Sequence, residues 1–118
     1  MITIIKKQII TVLAFSILII GGQLTAQNIT YKKESFKVWG VCEMCKTLID
    51  KTVSSIDGVK YGRWNVFSKQ IKVKYDINKT SVDSIQKVLS FVGYDSEKYK
   101  ASDEAYNNLH KCCKYDRE

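Results

Sequence analysis

Proline is absent from these 118 residues, histidine occurs once, as His110, and glycine only six times. Without proline there is no cis-prolyl turn to set opposite a reactive thiol. A single histidine near the carboxyl end leaves no serine-histidine-acid set to assemble, and no glycine-rich phosphate loop or cleft-forming pair of carboxylates stands out. Hydrolytic and group-transfer chemistry are therefore not expected, and the chain reads as a non-enzyme. Long apolar runs are scarce too. The one from Ile9 to Ile20 has 12 residues, short of the ~20 that span a bilayer. Acidic charge is in deficit, with 12 Asp and Glu against 19 Lys and Arg. The excess lysines are scattered (Lys60, Lys69, Lys72, Lys74, Lys87, Lys98, Lys100) and do not interleave with aromatics as a nucleic-acid groove requires. No nucleic-acid partner is expected.

The short apolar run follows Lys6 and Lys7 and leads into Leu24-Thr25-Ala26. This is the layout of a secretory signal peptide over residues 1–26, cut between Ala26 and Gln27, although Leu24 stands where a small residue is preferred. A retained anchor is the alternative. Cleavage leaves 92 of the 118 residues and, with Lys6 and Lys7 gone from a total of +7, a net charge of +5. The expected location is outside the cytoplasm, in the periplasm, and the mature form is not expected to span a membrane. All four cysteines survive, as two close pairs, Cys42/Cys45 and Cys112/Cys113. Such spacing suggests local chemistry more than long cross-links, and leaves metal, redox and structural uses open.

Residues 27–34 are polar and read as a leader. From Ser35 the pattern turns period-two, with Phe36 and Val38 on one face, and Gly40 ends that strand. Between Cys45 and Ile56 the apolar positions Cys45, Leu48, Ile49, Val53 and Ile56 follow helical spacing, and Gly58 reads as a left-handed cap stopping the helix near Asp57. Two alternating runs follow, Gly62, Trp64 and Val66, then Ile71, Val73 and Tyr75, joined by polar Ser68-Lys69 as a hairpin. Thr80 and Asp83 resemble a capping box ahead of a second helix that turns Val82, Ile85, Val88, Leu89 and Val92 inward and ends at Gly93. Tyr94 opens a short last strand. The order βαββαβ predicts an α+β, ferredoxin-like sandwich over residues 35–98, with a four-stranded antiparallel sheet and both helices on one face. Residues 99–118 form a carboxyl-terminal extension. The expected core is Phe36, Val38, Leu48, Ile49, Val53, Trp64, Val66, Ile71, Val73, Ile85, Leu89 and Val92.

Two thiols at a helix start have a defined chemistry. The helix dipole and its unpaired N–H groups favour the thiolate, which binds soft metals and attacks disulfides. Cys42 in the loop and Cys45 in the first turn can aim both sulfurs at one ion. Two thiolates suit Cu(I) or Hg(II) and leave a tetrahedral zinc site incomplete. Such an open site can pass its ion to another thiol pair by stepwise exchange.

The segment Phe36-Lys37-Val38-Trp39-Gly40-Val41-Cys42-Glu43-Met44-Cys45 resembles the opening of heavy-metal-associated domains, which occur in copper chaperones, metal-pumping ATPases and periplasmic mercuric-ion-binding proteins. The likeness continues through Gly58-Val59, Ile71-Lys72-Val73-Lys74-Tyr75-Asp76 and Val92-Gly93-Tyr94-Asp95. It implies that Cys42 and Cys45 ligate one soft ion, Cu(I) or Hg(II) ahead of Zn(II), and that Tyr94 packs beside them. It also implies a membrane metal transporter or another cysteine-rich carrier as partner, and a monomer or a metal-bridged dimer. Cytosolic chaperones carry lysine at the position of Tyr94 and pump domains an aromatic, so this chain resembles the pump-like or bacterial type. One departure is that the family's Gly-Met-x-Cys is replaced here by Gly40-Val41-Cys42, and Trp39 is the candidate to fill the space of the methionine. Met44, between the cysteines, is expected to face solvent as a weak auxiliary soft ligand. The docking surface is expected at the loop end carrying Gly40, Lys46 and Tyr94, facing an acidic partner.

Cys112 and Cys113 lie beyond the family pattern. With His110 two residues ahead they could add metal ligands, form disulfides, or be incidental in a loose tail. A helical run over residues 102–109 would fold them towards the Cys42/Cys45 loop. A periplasmic thiol-disulfide redox protein is the rival reading of Cys-x-x-Cys in an exported chain. Thioredoxin-like enzymes, however, set a cis-proline against their cysteines and follow a different strand order.

Overall fold

Residues 28–118 are described in a computed structural model; the expected signal peptide lies outside them. The elements run β1 (Tyr31–Lys37), α1 (Glu43–Ser54), β2 (Val59–Trp64), β3 (Gln70–Asp76), α2 (Val82–Val92) and α3 (Asp103–Asn107), with a 3₁₀ turn at Lys111–Cys113. The sheet has the order β1-β3-β2 and is antiparallel throughout. β3 is central, with Ile71 level with Phe36 on one side and with Trp64 on the other. A strand paired on both edges has the least access to water, and Ile71, Val73 and Tyr75 are all buried.

Both helices turn their apolar stripes onto the same core. Cys45, Ile49 and Val53 of α1 and Ile85 and Leu89 of α2 are buried with Phe36, Val38, Trp64 and Ile71. Each such aliphatic contributes about 1.5–3 kcal/mol by leaving water. Gly62 lets α1 seat closely, because a Cβ there would come within 2.4 Å of Val53 Cγ1. Among the described residues no helix is long and apolar enough to cross a membrane.

The α+β sandwich stands as the sequence predicts, with local differences. The first strand begins at Tyr31, ahead of Ser35, so part of the expected leader pairs with β3 from Tyr31↔Asp76 onward. The last strand is reduced, among the described residues, to one bridge between Val38 and Ser96. Trp39 N–H donates to the Asp95 carbonyl and Glu97 N–H to the Lys37 carbonyl. The ladder goes no further because Lys37 N–H is taken by the Glu97 carboxylate at 2.9 Å and Ser96 N–H turns back to Tyr99.

α1 stops at Ser54, three residues before the expected end, and Gly58, at φ 92°, serves the turn into β2 instead. Ser81, not Thr80, caps α2, its hydroxyl accepting from Ser84 N–H at 3.1 Å. Asp83 is drawn away from the cap to Lys98 and the Tyr99 hydroxyl. β2 ends at Trp64, and Val66 falls in the hairpin turn, where Asn65 Oδ1 accepts from Phe67 and Ser68 N–H. Leu48, Val66 and Val92 are half-buried.

The extension joins the fold. Ala101, Leu109, Cys113 and Tyr115 are buried, and all but Ala101 belong to the main cluster. α3 is shorter than the run expected over 102–109 because Asn108 already caps it.

Candidate metal centre

The centre is built at the amino end of α1. Cys42 is the N-cap residue, extended at φ −142° and ψ −176°, and its carbonyl accepts from Lys46 N–H at 3.1 Å. Its side chain caps no backbone donor, so the sulfur is free of the helix it opens. Cys45 sits in the first turn, on the buried stripe with Ile49 and Val53, and is inaccessible to water, whereas Cys42 is half-buried.

The loop is shaped from beneath by Trp64. Gly40 is required there, since a Cβ at that position would lie 2.8 Å from the indole ring and 3.4 Å from Cys45 Cβ. The indole N–H donates to the carbonyls of Val38 at 3.0 Å and Lys69 at 3.2 Å. Asp50 accepts from Trp64 N–H at 2.7 Å and from Lys46 Nζ at 2.7 Å, while Lys46 Nζ also donates to the Trp64 carbonyl at 2.8 Å. The end of β2 is thus fixed to the helix that carries Cys45. Trp39, expected to fill the missing methionine's space, is partly buried against the core and lies under Lys37 Nζ at 4.4 Å.

The tail places its cysteines on this loop. Cys42 donates its thiol proton to the Cys112 carbonyl at 3.5 Å, and Cys45 approaches the Cys113 carbonyl at 3.9 Å. The sulfurs of Cys42, Cys112 and Cys113 all lie within 4.8 Å of one another. Cys112 is exposed and Cys113 buried, and all four cysteines are free thiols. Met44, exposed as expected, has its sulfur 3.4 Å from Cys112 Sγ. His110 is exposed, lines the open groove between α1 and the tail, and is not in the sulfur group.

Tyr94 is completely buried beside these thiols, with no hydrogen-bond partner for its hydroxyl. Burial, then the charge of Cys45, pushes its ionisation well upward, so it remains a proton donor facing the sulfurs. Burial alone would raise Cys45, but the backbone N–H groups of Cys42 and Val41, with Cys113 and Tyr94, outweigh it and the net displacement is downward. Cys113 moves the other way, through burial and then the neighbouring Cys45. The first proton therefore leaves Cys45 in preference to Cys113.

Burial also corrects the expected docking surface. Tyr94 and Gly40 are buried and Lys46 is held by Asp50 and Trp64, so the three do not form a free face. The exposed positions around the thiols include Val41, Glu43, Met44, His110, Lys111 and Cys112. Trp64, Asp50, Leu109, Tyr115 and Arg117 shape the site without being among the site residues expected from the sequence. Asp50 had a signal in its i,i+4 spacing to Lys46; the tail residues follow no period.

An antiparallel sheet backed by two helices, with a cysteine pair at the start of the first, defines a small α+β domain of the ferredoxin-like class. Sequence comparison carries this further. Copper chaperone CopZ of Staphylococcus aureus is 32% identical over 54 residues, 46% of this chain and 79% of the chaperone. A copper-exporting P-type ATPase of Staphylococcus saprophyticus is 30% identical over 59 residues, 50% of this chain and 7% of the ATPase. The structure of oxidized MerP from Ralstonia metallidurans superposes with a TM-score of 0.55 at 28% identity, covering 58% of this chain and 96% of MerP. No family model matches the chain. By its likeness to CopZ over most of that protein's length, the chain belongs to the heavy-metal-associated domain family.

Proposed function

We propose that the protein binds one soft metal ion, Cu(I) or Hg(II), through Cys42 and Cys45, and passes it to or from a membrane metal transporter or a second cysteine-rich carrier. The observation that carries this reading is the unequal exposure of the two thiols at the start of α1. Cys45 is fixed in the core, whereas Cys42 is reachable from solvent. An incoming thiolate can attack the ion from the Cys42 side while Cys45 holds it, which is the order stepwise exchange needs. The likeness to a copper chaperone and to part of a copper-exporting ATPase supports copper as cargo and a transporter as partner. Export to the periplasm, resting on residues 1–26, belongs to the same proposal.

The test is an anaerobic titration of the reduced protein with Cu(I), Hg(II) and Zn(II), beside the Cys42→Ser/Cys45→Ser variant. One tightly held soft ion per chain, lost in the variant, is expected. Undiminished binding in the variant, or a metal-independent disulfide oxidase or isomerase activity, would overturn the reading.

A further inference from the structure

The sulfurs gathered in the structure are not the family pair. Cys42 groups with Cys112 and Cys113, and Cys45 lies outside that group. The geometry points to a thiol clasp: an ion taken up at Cys42 and Cys45 is then held by Cys42, Cys112 and Cys113, the tail pair replacing Cys45, so an open two-thiol site becomes a three-thiol one. This rests on the reading of the Cys42/Cys45 loop as a soft-metal site.

Two observations separate this arrangement from a tail with incidental cysteines. The first is that the dipeptide is held on both sides. Ahead of it, Leu109 is buried against Gly93, whose missing Cβ would stand 3.0 Å from Leu109 Cγ. Behind it, Tyr115 is buried, its hydroxyl donating to the Gly93 carbonyl at 2.7 Å and accepting from Asp95 N–H at 2.8 Å. Arg117 then pairs with Asp95 through Nε at 3.1 Å and Nη2 at 2.9 Å. With both flanks fixed and Cys113 N–H bonded to the His110 carbonyl at 2.8 Å, the turn Lys111–Cys113 has one place to be.

The second observation is spacing. With metal–sulfur bonds of ~2.3 Å, three sulfurs around one ion stand ~4.0 Å apart in a plane and ~3.8 Å apart in a tetrahedron. The three thiols are already within 4.8 Å, so closure needs side-chain rotation and small shifts only. On binding, each ligating thiol gives its proton to solvent as its sulfur–metal bond forms. A tethered ligand acts at a high effective concentration, so the clasp tightens retention without a new contact elsewhere. Exposed Cys112 is the ligand a partner's thiolate replaces first, and Met44 offers a soft donor beside it.

Sulfur coordination of the bound ion, read by X-ray absorption on the Cu(I)- or Hg(II)-loaded full chain, tests this directly. Three sulfur neighbours are expected in the wild type, from Cys42, Cys112 and Cys113, and two in Cys112→Ser/Cys113→Ser, where the ion returns to Cys42 and Cys45, with retention against a competing chelator falling roughly a hundredfold. The single Cys112→Ser variant, at an exposed position, guards against a packing defect from Cys113, and a loss in it supports the clasp too. Equal coordination and retention in wild type and both tail variants would overturn the clasp and leave the loop reading standing. Undiminished binding in Cys42→Ser/Cys45→Ser would overturn the loop reading instead.

Discussion

Tyr115 donates its hydroxyl hydrogen to the carbonyl of Gly93 at 2.7 Å, across 22 residues of sequence. Gly93 closes α2 at φ 114°, and the next residue is the buried Tyr94 that faces the thiols. The Tyr115 ring stacks on that of Tyr94, with centroids 6.1 Å apart and planes 23° apart, and meets Tyr106 edge-on at 5.0 Å. A single side chain thus joins the end of the tail to the floor of the metal centre.

Tyr115→Phe keeps the ring and removes the hydroxyl, leaving the buried Asp95 N–H and Gly93 carbonyl without this partner. The expected loss of stability is about 1–3 kcal/mol, read from the urea midpoint at unchanged slope. Faster hydrogen exchange in the tail than in β3 should accompany it.

Asp50→Ala withdraws the acceptor of Trp64 N–H and the partner of Lys46 at once. The backbone donor at the end of β2 is then left unpaired, at a cost of about 1–3 kcal/mol. Because Trp64 supports Gly40 and Cys45, its fluorescence should shift and soft-metal affinity should fall along with stability. Unaltered affinity would show that the loop holds its shape without this support.

Gly40→Ala places a methyl 2.8 Å from the Trp64 ring. The indole is held by two hydrogen bonds, so the loop must move, at a cost of about 1–3 kcal/mol from overpacking. Metal titration should show weaker binding at unchanged stoichiometry, since both thiols remain.

Ser81→Ala is the contrasting case. Its hydroxyl caps α2 at the helix end opposite Gly93 and Tyr94, and its removal should cost about 1 kcal/mol. Thermal unfolding should register the loss while metal affinity stays at the wild-type value.

The sequence by itself determined the elements and the loop pair. Period-two runs around Phe36 and Ile71, helical spacing from Cys45 to Val53, and Gly93 after Val92 are local patterns, and each states its element without the rest of the chain. The position of Cys42 and Cys45 at a helix start follows from the same patterns, because Gly40 ends one period and Cys45 begins the next. Tertiary structure decided what those patterns do not encode. Whether the last strand forms a full ladder depended on Glu97 capturing Lys37 N–H, and which tryptophan lies under Gly40 depended on how β2 meets α1. The place of Cys112 and Cys113 depended most of all on the fold. Their segment has no periodicity to read, and they are set against Cys42 by Leu109, Tyr115 and Arg117, of which Tyr115 and Arg117 reach back 22 residues, to Gly93 and Asp95, partners that gather only once α2 is packed.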